Sequence, residues 1–164
     1  MRKLVGILFL LVSLSLGCAT VRPRLDLTKP ICFISRGSDN TRFALVFGSR
    51  MWLRHFPDFP RPVYTQKFSD CTNPPIIVYD RDMDYAHGVT KRYPWGWEVF
   101  LDRPSGVRYL PAAHELGHVF GVWYHVDGRD SIMTEDAHSG EVTRSDILLI
   151  CKLHPEINCS RVRW

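Results

Sequence analysis

The order of hydrophobic and polar residues along the chain predicts a mixture of short strands and three helices. Short runs of alternating apolar or β-branched residues predict five strands, which lie at Ile31–Ser35, Val63–Gln66, Ile76–Asp80, Ala86–Thr90 and Trp97–Leu101. Apolar residues at helical spacing predict helices over about 41–56, from Tyr109 to Phe120, and from Thr143 until Pro155 stops the last one. Thr143 and Asp146 resemble a capping box at the start of that last helix.

Residues 1–17 have the pattern of a secretory signal peptide. Arg2 and Lys3 supply a basic start, and an apolar run from Leu4 to Leu16 follows directly. The run is shorter than the roughly 20 apolar residues that an ordinary membrane-spanning helix needs. We therefore interpret it as a leader.

The end of this leader, Gly17-Cys18, resembles the lipobox of bacterial lipoproteins, in which the cysteine is lipid-modified and becomes the first residue. Ser15 stands where that motif usually has leucine. The resemblance implies a lipid anchor on Cys18, and Ala19 after it fits sorting to the outer membrane of Gram-negative bacteria. Plain cleavage near Ala19, giving a periplasmic or secreted protein, is the alternative. Residues 18–30 then form a polar tether, and residues 31–164 form one domain.

The composition is that of a single globular domain. The residues are 45% hydrophobic and 23% charged, which is ordinary for a folded protein. A chain of 164 residues is too short for two average domains. Removing Arg2 and Lys3 from the 21 basic residues leaves 19 against 17 acidic ones. This near balance gives no support to nucleic-acid binding. We expect a monomer that does not bind nucleic acid.

The chain has five cysteines, and removing Cys18 leaves four in the domain. Four cysteines in an exported domain indicate two disulfides, for which three pairings exist. We favour Cys32–Cys71 and Cys151–Cys159, because each of these pairings closes a local loop.

The chemistry of the chain is concentrated in the segment His114-Glu115-Leu116-Gly117-His118. Side chains four residues apart lie about 40° from each other around a helix axis, so two imidazoles at this spacing can bind one metal ion. Glu115 between them can take a proton from a metal-bound water that attacks a carbonyl group. The alternative is a helix that carries two unrelated histidines.

The residues after this motif narrow the interpretation. Gly121 suits the left-handed conformation that ends a helix abruptly; His125 and Ser131-Ile132-Met133 follow it. Together these residues resemble the metzincin clan of zinc endopeptidases, which carries H-E-x-x-H-x-x-G-x-x-H and a later turn built around a methionine. Ser131-Ile132-Met133 is similar to the Met-turn of matrixin-like members. The resemblance makes Met133 an apolar floor beneath the metal ligands.

The resemblance also implies the fold. A metzincin-like domain is α+β, with a small, twisted, mostly parallel sheet of about five strands and an antiparallel edge strand. The sheet packs on the active-site helix and on flanking helices. Ala86–Thr90 best fits the edge strand, along which an extended substrate pairs.

The third metal ligand is where this sequence departs from the metzincin pattern. Three residues, not two, separate Gly121 from His125, so Tyr124 stands at the expected ligand position. A loop can absorb the extra residue, which adds at most about 3.3–3.6 Å of reach, and imidazole is a far commoner zinc ligand than phenol. We therefore expect His125 to bind the metal with His114 and His118. The alternatives are Tyr124, Asp127 or Asp130, or a thermolysin-like arrangement with Glu135 or Glu141.

The function that the resemblance implies is zinc-dependent cleavage of peptide bonds in protein or peptide substrates. The enzyme would be exported and anchored to the membrane through lipid on Cys18. One catalytic Zn²⁺ leaves a position for water, and Glu115 takes the proton of that water and passes it to the leaving amine. A cell-envelope amidase or peptidase acting on peptidoglycan would use the same chemistry, and an inactive metzincin-like binding lipoprotein is a further alternative. Calcium binding is left undecided by the acidic residues after the helix, which are Asp127, Asp130, Glu135 and Asp136.

Overall fold

A computed structural model describes residues 23–84, 87–102, 109–125, 131–135 and 140–164. Some of the residues considered above lie outside this described part of the chain. They are the leader at 1–17, the lipidation site Cys18, the start of the predicted edge strand at Ala86, and the loop carboxylates Asp127, Asp130 and Asp136.

Five strands form one sheet, and they are β1 (Cys32–Ser35), β2 (Val63–Thr65), β3 (Ile76–Arg81), β4 (Gly88–Tyr93) and β5 (Gly96–Asp102). Their order in the sheet is β2-β1-β3-β5-β4. The pairs from β2 to β5 are parallel, whereas β4 runs antiparallel to β5 and forms one edge. The α+β class and the mostly parallel sheet with an antiparallel edge strand are confirmed.

The described residues form three helices, which are α1 (Asp39–Leu53), α2 (Tyr109–Val119) and α3 (Arg144–Leu153). α1 begins at Asp39, close to the predicted start at about 41, but the predicted end at 56 is wrong. Its last predicted residues form tight turns, because the N–H groups of His55 and Phe56 bond to carbonyls three residues back. The helix proper therefore ends at Leu53.

The edge strand β4 lies farther along the chain than the predicted Ala86–Thr90. It continues to Tyr93, because a turn at Pro94 and Trp95 returns the chain directly into β5 and pairs Tyr93 with Gly96. Lys91 and Arg92 lie in this extension, and an edge strand with one exposed face accepts such charged residues.

Helix α1 packs closely against α2 in the core. The buried indole of Trp52 donates from Nε1 to the carbonyl of Ala113 at 2.7 Å. A Cβ atom at Gly48 would lie 2.7 Å from the main-chain nitrogen of Ala113, so only glycine permits this separation. α2 is thereby held in a fixed position between α1 and the sheet.

Two disulfides join Cys32 to Cys71 and Cys151 to Cys159, which confirms the favoured pairing. The first ties β1 to the loop before β3, and the second ties α3 to the C-terminal segment. Structural disulfides are typical of oxidising compartments, which indicates an exported protein. Within the described ranges, no helix is both long and apolar enough to span a bilayer.

The start of α3 is joined to the turn around Met133 through one buried carboxylate. The predicted capping box is present: Asp146 Oδ2 accepts from the N–H of Thr143 at 2.8 Å, and Thr143 Oγ1 accepts from the N–H of Asp146. Asp146 also accepts from Ser131 Oγ at 2.9 Å, and Ser131 Oγ accepts from the N–H of Met133 at 3.0 Å. The position of this turn therefore depends on Asp146.

We expect Asp146→Ala to lower the free energy of unfolding by about 2 kcal/mol or more. A hydrogen bond to a charged group contributes about 1.5–3 kcal/mol, and the variant leaves the Ser131 and Thr143 donors without their acceptor. Urea denaturation followed by circular dichroism measures the loss. The exposed neighbour Ser145 is the control, and Ser145→Ala should change stability by less than about 0.5 kcal/mol. Equal losses in the two variants would contradict this role of Asp146.

Candidate metal centre

His114 and His118 lie on one face of α2. Their ring centroids are 4.8 Å apart and their planes are perpendicular. Burial lowers the pKa of His114 to about 4 and also lowers the pKa of His118. Both imidazoles are therefore neutral near pH 7, which is the form that binds a metal ion.

The end of α2 fixes the orientation of His118. Gly121 has a φ of +104°, and the N–H groups of Gly121 and Val122 bond to the carbonyls of His118 and Gly117. This is the Schellman arrangement, in which a left-handed residue reverses the chain. The reversal brings the carbonyl of Val122 to the ring of His118, whose Nδ1–H donates to it at 2.6 Å. Nε2 of His118 is then left as the atom that can bind a metal.

The turn after the helix fixes His114 in the same way. Nδ1–H of His114 donates to the carbonyl of Ile132 at 2.8 Å. A ring nitrogen that donates to a carbonyl sets the tautomer and leaves the other nitrogen as a lone-pair donor. Both histidines of α2 therefore present Nε2 to the same region.

His125 brings a third imidazole to this region. Its Nε2 lies 3.2 Å from Nε2 of His114, and the ligand nitrogens of His114, His118 and His125 all lie within 4.8 Å of one another. Two nitrogens bound tetrahedrally to one zinc ion, each at about 2.0–2.1 Å, are separated by roughly 3.4 Å. The spacing of His114 and His125 fits a shared ion, and the cluster can hold a metal ion.

The extra residue before His125 is accommodated at the helix end. Val122 is buried, and the indole of Trp123 stacks over the ring of His118 with centroids 6.1 Å apart. The side chain of Tyr124 is 56% exposed. The chain thus reaches His125 although it carries one residue more than the metzincin spacing.

The carboxylates considered as alternative ligands do not join this group. Glu135 and Glu141 are both exposed, and neither contributes to the cluster of ligand atoms. Asp127 and Asp130 lie outside the described residues. Among the described histidines and carboxylates, the geometry favours His125 over Glu135 and Glu141.

Met133 packs against α2 next to this centre. Its side chain is fully buried, and a Cβ atom at Gly117 would overlap its sulfur and lie 2.9 Å from the indole of Trp52. The absence of a side chain at Gly117 therefore lets the turn around Met133 approach the helix. A glycine inside a helix lowers stability by about 1 kcal/mol relative to alanine. The unfavourable glycine at position 117 was therefore a sequence signal that another segment approaches α2 closely there.

Glu115 is buried against the edge strand β4. Thr90 Oγ1 donates to Glu115 Oε2 at 2.6 Å and lies 3.1 Å from the main-chain carbonyl of the same residue. A Cβ atom at Gly88 would lie 2.6–2.9 Å from the Glu115 side chain. Burial raises the pKa of Glu115 to about 7, while the Thr90 hydrogen bond acts in the opposite direction. Gly88 and Thr90 lie in the predicted edge strand, but their contact with Glu115 was not predicted, because nothing local marks a contact with a helix so far along the chain.

The C-terminal end of α2 has a further support from His154. Nε2 of this buried histidine hydrogen bonds with the carbonyl of Phe120 at 2.8 Å, and its Nδ1 lies 2.9 Å from Oε1 of Glu156. The residue therefore packs and bonds at the helix end, away from the metal-binding group. The loop closed by the disulfide at Cys151 and Cys159 carries it.

Comparison of the chain with models of known protein families gave no match, and comparison with curated proteins gave none either. The centre is therefore interpreted from its own residues and geometry.

We expect His125→Ala to weaken zinc binding by at least about 100-fold, because it removes one of three ligands and losses of supporting residues alone cost 10–100-fold. Tyr124→Phe is the matched control and should change the affinity by less than about threefold. Competition with a chromophoric chelator measures both constants. A large loss in Tyr124→Phe with none in His125→Ala would contradict the assignment.

Proposed function

We propose that the protein is a metzincin-like zinc endopeptidase that hydrolyses peptide bonds in protein or peptide substrates. The observation that carries the proposal is that three imidazoles converge next to a buried carboxylate. This carboxylate belongs to Glu115, which directly follows the ligand His114 in α2. Metal-assisted hydrolysis requires a set of metal ligands and a nearby carboxylate that can act as general base.

A zinc ion held by His114, His118 and His125 would supply a Lewis acid that polarises the scissile carbonyl and makes the attacking water more acidic. The protein contributes orientation. Because Nδ1–H of His114 and of His118 donates to a main-chain carbonyl, both Nε2 lone pairs are directed at the centre before a metal binds.

Glu115 acts in this proposal as general base and then as general acid. Thr90 occupies Oε2 of the carboxylate, and Oε1 has no hydrogen-bond partner among the described residues. Oε1 is therefore the oxygen that takes the proton of the attacking water and returns it to the leaving amine. Thr90 is a positioning residue, because its hydroxyl fixes the carboxylate in one rotamer.

The edge strand β4 is the element proposed to bind substrate. One side of β4 pairs with β5, and no strand of the described sheet pairs with its other side. An extended peptide can add to such an edge through main-chain hydrogen bonds. Since Thr90 and Gly88 of this strand contact Glu115, a peptide bound there would pass beside the catalytic carboxylate.

The resemblance to metzincins supports the same proposal. Gly121 reverses the chain at the end of α2, and Met133 lies buried against Gly117 of that helix. Both features have the roles that the resemblance implies for the residues after the motif. The order of elements, with the edge strand before the metal-binding helix and a last helix after the turn, also fits.

The proposal extends to a lipid anchor in the outer membrane. The disulfides indicate an oxidising compartment. The lipobox-like end of the leader supports lipidation of Cys18, with residues 18–30 as the tether between membrane and domain.

We expect Glu115→Gln to lower kcat for casein cleavage by about 10²–10⁴-fold, which is the usual contribution of general acid–base catalysis. Zinc affinity should stay within about threefold of wild type, because no ligand is lost. Glu135→Gln is the control and should leave both quantities unchanged, which also tests the thermolysin-like alternative.

The outcome of the same assay separates the alternatives. Glu115-dependent cleavage of a muropeptide mixture without cleavage of casein would favour an amidase or peptidase that acts on peptidoglycan. Stoichiometric zinc without Glu115-dependent cleavage of either substrate would contradict the enzyme and leave the binding lipoprotein.

We expect Cys18→Ser to move the full-length protein from the detergent phase to the aqueous phase after Triton X-114 separation, because the acyl chains are lost. Ser13→Ala, also in the leader, should leave the protein in the detergent phase. An unchanged partition of Cys18→Ser protein that mass spectrometry shows to have lost residues 1–17 would show that lipid on this residue is not the anchor.

A further inference from the structure

A cavity of about 420 Å³ lies between the end of α1, the start of α3 and the C-terminal segment. None of the residues of the metal centre lines it. Three arginines do, Arg54, Arg144 and Arg163, against one acidic side chain, that of Glu141. The cavity therefore carries an excess of positive charge.

The arginine from α1 is held in place by hydrogen bonds. Arg54 donates from Nε to Nε2 of His55 at 3.1 Å, and His55 Nδ1 donates to the carbonyl of Arg163 at 2.7 Å. The N–H of Arg163 donates back to the carbonyl of His55 at 2.9 Å. These bonds use one nitrogen of the Arg54 guanidinium, and its two terminal nitrogens make no hydrogen bond within the described residues.

The arginine from α3 is positioned by an aromatic ring. The guanidinium carbon of Arg144 lies 4.8 Å from the centroid of the Trp164 ring. Stacking occupies one face of the planar group and leaves its N–H donors available at the edge. In the part of the chain that the structure describes, no carboxylate pairs with Arg54, Arg144 or Arg163, whereas nearby Arg161 pairs with Asp58 at 3.0 Å.

We propose that this cavity binds a phosphate-bearing ligand. A carboxylate accepts about four hydrogen bonds through its two oxygens, which is fewer than the N–H donors of three arginines. A phosphate monoester has three terminal oxygens and a charge near −2 at neutral pH, which matches this donor set. The cavity is also larger than a phosphate ion, and volumes of about 300–1,000 Å³ are usual for sites of small organic ligands.

The rest of the cavity provides a place for the group that carries the phosphate. Val142 and Ile147 are buried and form apolar lining, and the indole of Trp164, 62% exposed, forms an open wall. An ester with a small organic group would place its phosphate on the arginines and its carbon atoms on this apolar surface. A soluble phosphate ester and the head group of a membrane lipid present the same chemistry.

The test uses full-length Cys18→Ser protein, which lacks the proposed anchor, with glycerol 1-phosphate as the soluble probe. Isothermal titration should give saturable binding of one equivalent. Arg54→Gln and Arg144→Gln should each weaken it by about tenfold or more, because each removes charge-assisted hydrogen bonds. Arg161→Gln removes the same charge outside the cavity and should weaken binding by less than about twofold.

A second arm separates the two sources of phosphate. Vesicles of phosphatidylglycerol are compared with vesicles of phosphatidylcholine by co-sedimentation. Binding to phosphatidylglycerol that Arg54→Gln and Arg144→Gln reduce supports a lipid head group, whereas binding of the soluble ester alone supports a free ester. Absence of saturable binding to both probes, or an equal loss in Arg161→Gln, would overturn the proposal. The result does not depend on peptidase activity.

Discussion

The hydrogen bonds from the two histidines of α2 to main-chain carbonyls are the constraint on which the metal centre depends. A neutral imidazole has two tautomers, and protonation at Nδ1 is the one that leaves Nε2 free for a metal. The carbonyls of Val122 and Ile132 select this tautomer in His118 and His114. Each carbonyl belongs to a reversal of the chain, one directly after the helix and one around Met133. The loops therefore determine which ring nitrogen of each histidine is available to a metal. Asp146 in turn fixes the position of the second loop.

Close approach to α2 is the second constraint, and it depends on residues without side chains. α1 approaches at Gly48, Met133 approaches at Gly117, and the carboxylate of Glu115 approaches β4 at Gly88. Glycine inside a helix or strand weakens the isolated element. The burial of Trp52 and Met133 that these contacts permit offsets the loss. α2, which is less stable alone, is thus fixed by its neighbours close to the residues of the metal centre.

The sequence predicted what depends on local geometry. The spacing of His114 and His118 follows from the helical repeat, the reversal at Gly121 follows from its conformational freedom, and the capping box follows from the first turn of α3. The contacts from Thr90, Gly88 and the carbonyl of Ile132 could not be predicted, because they join residues that only the tertiary fold brings together. The same reason explains the misplaced end of β4, because its last residues are held in the strand by pairing with β5. The arginine cavity left no sequence signal, because its three arginines come from three separate segments.

The bond between His154 and the carbonyl of Phe120 bears on when the protein acquires its metal. It ties the end of α2 to a loop that the disulfide between Cys151 and Cys159 closes, so this support of the helix end is in place only when the C-terminal segment has folded. An unfolded chain rarely holds a preformed metal site. Metal uptake is therefore expected to follow disulfide formation, outside the cytoplasm. The supply of a suitable metal ion in that compartment, not in the cytoplasm where the chain is made, would then limit how much of the protein binds one.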